Sequence, residues 1–564
     1  MIYTLSTPQS KSHFINFKIE IDTKFEEKIL VQLPAWRPGR YELGNFAKNL
    51  RDFKVVDENN RTLEFCKKTK DSWEINCFNT KKITITYQYY AKIINAGSTF
   101  LNEDILYVNP VNCLVYVPTK IHETHYLYIQ NQDNKKSIVP LKPYQNGYIA
   151  ANFHELADSP FVFSNQLQKQ SYTIKNYLFN IWIQGECKPN WDKILKDFHG
   201  FTKVLVEQMG NFPALEYHFI IFALPYPAYH GVEHLNNTVI TLGPGYALMQ
   251  EKMYNNLLGI SSHEIYHSWN VKFIRSADLL PYDYSQENYS NMGYLCEGIT
   301  TYVGDLALVQ GKCVDENEFL RLMNVNFQKH IHNDGRFTLS VKDASVDTWL
   351  DGYEKGISNR KTSIYTEGAL LAMCLDIAII EYSEGKNNIL SMMKVLNLDY
   401  AVKNIGITNE IFNCVADKFS GNQWTKKIAP YLSIPMDYSP LITEYLHKVG
   451  INCTFQNNPN HLANQFGCLV DNNSNKVQSL ALQSPAENAG LFFGAEIKSV
   501  NKLPCTNDVN EWTNYFSGDT IELEYLDGLS SIKIQLQSDG KQYFPLVKLE
   551  KQNNTDLYDF WIKK

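Results

Sequence analysis

The period of the apolar residues changes once along this chain, and that change limits what it can fold into. Near the start, Ile15, Phe17, Ile19 and Ile21 alternate with Asn16, Lys18 and Glu20, and Ile83, Ile85, Tyr87 and Tyr89 alternate with Thr84, Thr86 and Gln88. A period of two buries one face of an extended strand and leaves the other in water. Shorter runs over 29–33, 72–78, 105–108, 113–117 and 126–129, split by Pro, Gly and Asn turns, carry the pattern onward. They predict an N-terminal β-sandwich over residues 1–168.

Beyond about residue 170 the spacing is different. One apolar strand, Tyr217 to Leu224, precedes segments of helical period at Met253–Asn270, Met292–Gln310, Glu316–His330 and Thr366–Tyr382. Thr408 opens and Gly421 closes a further capped helix, and Pro430, Pro435 and Pro440 then mark a boundary. A strand-rich part with one short helix follows. The expected architecture is a multidomain α+β protein divided at 1–168, 169–440 and 441–564. The 564 residues agree, since domains average roughly 150 residues.

Composition removes several classes of function. The longest apolar stretch, Leu370 to Ile380, is interrupted by Asp376, so no membrane span is expected. With 53 Lys and Arg against 60 Asp and Glu, and no basic face along the chain, nucleic acid is not the expected partner. The 11 cysteines are odd in number and never spaced C-x-x-C, which argues against both a disulfide framework and a cysteine zinc site. A reducing, cytoplasmic setting is expected, although a signal peptide removed in maturation would leave the same pattern.

The sharpest local signal is His263-Glu264-Ile265-Tyr266-His267 inside the segment whose period is helical. On a helix the two imidazoles share a face one turn apart and can both reach one Zn²⁺, while Glu264 can take a proton from water at the open position. Chance supplies on the order of 0.02 such motifs in a chain of this length and histidine content. A catalytic site needs a third protein ligand. Asn270 and Phe273 occupy the positions where a metzincin would carry its glycine and third histidine. Glu297, in the amphipathic stretch Asn291 to Tyr302, is the alternative and completes a His₂Glu set.

Several separate blocks give a wider resemblance. They are Leu33 to Tyr41 (LPAWRPGRY), His230-Gly231-Val232-Glu233-His234, His263 through Arg275, Tyr284 through Tyr289, Glu297 to Tyr302 and Tyr365-Thr366-Glu367-Gly368-Ala369. In order and spacing the chain resembles the glycyl aminopeptidase family of PDZ-containing zinc metallopeptidases, gluzincins related to alanyl aminopeptidases. It departs from them at His230 and Val232, where relatives tend to have Gly and Leu, and at Glu367, where they tend to have Lys.

The resemblance implies a thermolysin-like catalytic domain with a helical extension and a C-terminal PDZ-like domain. It also implies an aminopeptidase that acts on peptides with a free N-terminus and prefers Gly or Ala there. Glu233, with Gly231 beside it, would grip the substrate's ammonium, and Tyr365 would donate to the oxyanion. Tyr284 and Glu287 would line the substrate pocket. Ser484 to Ile497 and Phe466 to Val470 resemble the helix and carboxylate loop of a PDZ domain, which could hold a peptide ligand. An endopeptidase, or a PDZ-containing binder with a vestigial metal site, remains as the alternative reading of the same residues.

Overall fold

The computed structural model describes every residue except 131, 133, 134, 354, 355 and 564. The chain forms two compact units, residues 1–289 with 311–313, and residues 290–310 with 314–564.

The first unit begins with three sheets. Seven strands, Lys142–Tyr144, Gly147–Ala150, His125–Ile129, Ile2–Ser6, Phe14–Asp22, Lys82–Tyr90 and Leu50–Asp57, lie side by side in that order. A second sheet pairs Lys136–Ile138, Phe161–Ser164, Ile105–Val108 and Phe100–Leu101, and a third pairs Lys28–Gln32, Ser72–Asn76 and Phe65–Thr69. The alternation read at 15–21 and 83–89 is the inward face of paired strands: Ile15, Ile19, Ile21, Ile83 and Ile85 are fully buried. The expected strand at 113–117 does not form. Pro110 sits in the first turn of a short helix, Pro110–Cys113, after which Tyr116 makes a single bridge to Gln32. A proline there favours the helical turn, because its missing N–H costs a helix start nothing.

The rest of the first unit is a five-stranded sheet with two helices. Its elements are β1 (Gln168–Ile174), β2 (Tyr177–Gln184), α1 (Trp191–Met209), β3 (Glu216–Ala223), β4 (Ala228–Glu233), β5 (Asn237–Gly243) and α2 (Glu251–Tyr266). The strand order is β1-β2-β3-β5-β4, with β2, β3 and β5 parallel and β4 antiparallel at the edge. Sequence alone pointed to β3. Strands β2 and β5 escape such a reading because they are buried on both faces, so their apolar residues run on without alternating. Helix α1 starts at Asn190, whose side chain accepts from the Lys193 N–H, and stops at Gly210, where φ is +89°. It is tied to α2 by the Tyr254 hydroxyl, which donates to Asp197 at 2.8 Å.

The second unit is helical and then strand-rich. A π-helical turn at Tyr294–Gly298 runs into α3 (Ile299–Gln310), followed by α4 (Glu316–Ile331) and α5 (Ile364–Tyr382). Helix α5 is its central rod, buried from Thr366 to Ile380. Asp376, the residue that breaks the apolar run, accepts from the Tyr302 hydroxyl at 2.6 Å and from the Ile389 N–H at 2.7 Å, where the next helix begins. Thr408 and Gly421 cap the helix Asn409–Ser420 as expected.

The C-terminal strands have a core of their own around Leu462, Phe466, Ile497, Leu523 and Leu536. They are also stitched to α4, because Gln328 and Asn324 accept from the Val547 and Leu549 N–H groups. After the helix Ser439–Lys448, the described residues of this part hold four more helices, at 461–466, 485–488, 509–516 and 556–563, where the sequence predicts one short helix. No helix among the described residues is long and apolar enough to cross a membrane, and none of the eleven cysteines forms a disulfide.

Candidate metal and peptide site

Helix α2 brings the two histidines together. Leu257, Leu258 and Ile265 are buried, which fixes the rotation of the helix, and the spacing of four residues stacks His263 and His267 over one face. Their Nε2 atoms stand 3.0 Å apart with the rings at 84° to each other. His267 Nδ1 donates to the Asn270 carbonyl at 3.0 Å. That bond selects the tautomer whose Nε2 is a bare lone pair facing His263, as a metal ligand requires.

Glu264, between them, is 6% exposed and lies against Gly231 of the edge strand β4. A Cβ at Gly231 would come within 2.2 Å of Glu264 Oε1, so only glycine leaves that carboxylate its place. Two residues along the same strand, on the same face, is Glu233. It too is 6% exposed, and a Cβ at Gly39 would stand 2.1 Å from its Oε1. Gly39 has φ of +80°, a conformation open to glycine, so the Trp-Arg-Pro-Gly turn of the N-terminal block is shaped to lie on this carboxylate. The sequence showed both blocks but not that they touch, since 194 positions separate them.

Behind Glu233 is a charged cluster that sequence reading missed. Lys272 donates to Asp158 at 2.8 Å, and the other Asp158 oxygen accepts from the Leu235 N–H at 2.9 Å. His234 Nδ1 donates to Asp158 at 3.0 Å. Burial opposes the Asp158 charge, yet Lys272 and His234 outweigh it and hold the carboxyl well below its usual range. Burial likewise opposes the Lys272 ammonium, but the carboxylates of Asp158 and Glu233 raise its pKa. These groups border a cavity of about 260 Å³ that Arg37, Arg275 and Tyr284 also line. The one sequence signal was His234 and Lys272 lying inside the quoted blocks. His230, one of the departures, is pushed down to about 4, first by burial and then by Arg37 and Arg40.

Glu297 sits in the π-helical turn, 6% exposed, one residue before Gly298. Such turns recur at functional positions because the extra residue re-aims a side chain. Gly298 meets Gly368 of α5 backbone to backbone: a Cβ on Gly298 would lie 2.3 Å from the Gly368 Cα. Tyr365 is one turn before Gly368, in the first turn of α5 behind the Ser363 cap, and 38% exposed. The ligand atoms of His263, His267 and Glu297 all lie within 4.8 Å of one another. Two neutral imidazoles and a carboxylate in that compass suit a divalent, borderline-soft ion such as zinc.

Three other quoted residues have partners that the sequence does not show. Tyr284 is 2% exposed, its hydroxyl bonded to His154 Nδ1 at 2.9 Å and its carbonyl accepting from the Ala35 and Trp36 N–H groups. It packs the insert against the N-terminal block. Glu287 is half-buried in a loop stitched by Asp283 and Asn288. Glu367, where relatives tend to have Lys, accepts from His330 Nδ1 at 2.7 Å and from the Tyr438 hydroxyl beneath α5. His330 Nε2 donates in turn to Asp437 at 3.2 Å.

Residues 2–165 match the M61 peptidase N-terminal domain and residues 256–371 match the M61 glycyl aminopeptidase model. The chain matches the M61 glycyl aminopeptidase family. That second segment contains His263, Glu264, His267, Glu297 and Tyr365, and the matches support a peptidase. The fold is shared with the aminopeptidase N family protein of Idiomarina loihiensis, at a TM-score of 0.90 and 20% identity over 100% of this chain and 99% of that one. An M1 zinc metallopeptidase from Deinococcus radiodurans aligns at a TM-score of 0.47 and 10% identity, over 77% of this chain and 94% of that one. No curated protein matches the sequence.

Proposed function

We propose that the protein is a zinc-dependent aminopeptidase that hydrolyses the N-terminal peptide bond and prefers a small residue, Gly or Ala, at that end. The observation that carries this is one edge strand, β4, holding Gly231 against Glu264 and ending in Glu233, beside the His263, His267 and Glu297 group. In this reading residues 1–168 are a β-sandwich, 169–440 a thermolysin-like domain and 441–564 a PDZ-like module, working in the cytoplasm.

His263, His267 and Glu297 would hold the ion. Zinc bound there supplies a Lewis acid and a water acidified toward a pKa of about 7. Glu264 accepts the water's proton on its carboxylate and passes it to the departing amine. The outer edge of β4 offers backbone N–H and C=O groups to an extended substrate, as an edge strand does to any added strand. Glu233, at its end, accepts hydrogen bonds from the substrate ammonium, which sets the first peptide bond over Glu264. The Tyr365 hydroxyl donates to the oxyanion of the tetrahedral intermediate.

The test is elemental analysis together with hydrolysis of Gly- and Ala-aminoacyl chromogenic substrates. About one zinc per chain is expected, with activity lost to a chelator and restored by Zn²⁺, and no cleavage of N-acetylated peptides. Cleavage of blocked peptides at internal bonds would make the protein an endopeptidase and leave Glu233 a structural residue. Absence of zinc after reconstitution would remove the metal from the reading.

A further inference from the structure

An enzyme that anchors the substrate's amine has one residue on the near side of the scissile bond, and everything else must continue past the catalytic groups. The second unit has a place for that remainder. A cavity of about 870 Å³ opens at the first turn of α5, and Ser363 and Tyr365 form part of its wall. Asn333, after α4, adds to it, and the C-terminal strands contribute Leu469, Gln478 and Phe493. The volume is in the range of cavities that enclose a ligand of several residues. Its position relative to the proposed chemistry follows from α5, where Tyr365 is one turn from the Gly368 contact with Gly298, next to Glu297.

The far wall is held firmly. Asn359 donates to the Leu480 carbonyl at 2.6 Å, and the Leu482 N–H donates to Asp334 at 2.8 Å, both beside the strand Val477–Leu480 that carries Gln478. Phe493 is 39% exposed on the turn before Glu496, and Tyr365, on the wall of the same cavity, is 38% exposed. Two part-exposed rings and an exposed amide on the wall of one cavity suit an extended peptide, whose side chains pack on the rings while its backbone exchanges hydrogen bonds with the amide.

We infer that the C-terminal module is a wall of the substrate channel, and that Phe493 and Gln478 bind the peptide downstream of the cleaved bond. This rests on the aminopeptidase reading, with Tyr365 at the reacting carbonyl. The module is then a specificity element that makes the enzyme favour peptides over single aminoacyl derivatives, which have no downstream chain to bind.

The experiment compares kcat/KM of the zinc-loaded full chain and its Phe493→Ala and Gln478→Ala variants on Gly-p-nitroanilide and on a free-amine tetrapeptide beginning with Gly. Loss of an aromatic anchor at a recognition surface costs about tenfold or more. Phe493→Ala should therefore lower the tetrapeptide value about tenfold and Gln478→Ala several-fold, with the p-nitroanilide value within about twofold of wild type. Unchanged turnover of the small substrate also shows that the variants fold. Equal losses on both substrates, or no loss on the tetrapeptide, overturn the inference while the aminopeptidase reading stands. A wild-type chain that cleaves neither substrate removes that reading and this inference together.

Discussion

Adding one methyl group at Gly231 should disable the enzyme while leaving its metal ligands in place. A Cβ at this position falls 2.2 Å from Glu264 Oε1, 2.8 Å from its Cδ and 2.9 Å from the Ile260 Cδ1. Ordinary carbon–oxygen contact is near 3.4 Å, so the carboxylate must retreat by about 1 Å. Glu264 can do that by turning its own side chain, so Gly231→Ala should cost little stability. Chemistry is less forgiving, because a proton acceptor displaced by about 1 Å typically loses about 10²-fold in rate, equivalent to about 2.7 kcal/mol of barrier. Steady-state kcat on an Ala-aminoacyl substrate should fall by that factor, with zinc content near wild type and the melting temperature shifted by only a few degrees. A Gly231→Ala enzyme with wild-type kcat would refute the placement of Glu264 as the base. Loss of zinc would refute the claim that Gly231 acts on the base alone.

Glu264→Gln should keep zinc and lose about 10²- to 10⁴-fold in kcat, because the amide cannot accept the water's proton; normal turnover would require another base. Gly39→Ala should push Glu233 off its position and, like Glu233→Ala, raise KM for free-amine substrates more than it lowers zinc content; a KM unchanged in both variants would argue against an ammonium site. Lys272→Ala should take away the charge nearest Asp158 and destabilise the fold by about 1–3 kcal/mol, read by urea titration at pH 7, since His234 and the Leu235 N–H still bond the part-exposed carboxylate. His330 gives a pH test: burial works against its charged form, but Glu367 and Asp437 raise its pKa above the ordinary value. A raised folded-state pKa means stability fully present below about 6.5 and lost as pH rises through the folded value. The stability gap between wild type and His330→Gln should therefore be wider at pH 6 than at pH 9, and an equal gap at both would show that the imidazole is neutral in the fold.

How much of this could be read from the sequence depended on whether the signal was local. Period-two strands such as Phe14–Asp22, the Thr408 and Gly421 caps, and the i, i+4 histidines are each set by residues within a turn or two, and all were legible. Strand β2 was not, because burial on both faces erases the alternation that marks a strand. Glu297 was found because its helical stretch is amphipathic, but the π-helical turn that aims it was not, since nothing in Tyr-Leu-Cys-Glu-Gly distinguishes that turn from an ordinary one. Gly39 and Glu233, like Lys272 and Asp158, depend on distant segments meeting, which one sequence cannot state. Glu367 read as a departure from its relatives and turned out to be half of a buried pair with His330.

The contact of Gly298 with Gly368 has a mechanical meaning. Most helix crossings are spaced by side chains, which can be exchanged for slightly larger or smaller ones, so the gap between helices drifts as sequences change. Here main chain rests on main chain, and no substitution can shorten the gap, while any substitution must widen it. Glu297 rides on one helix and Tyr365 on the other, each within one turn of the pivot. Their separation is therefore a hard stop that the surrounding core can repack around but cannot tune.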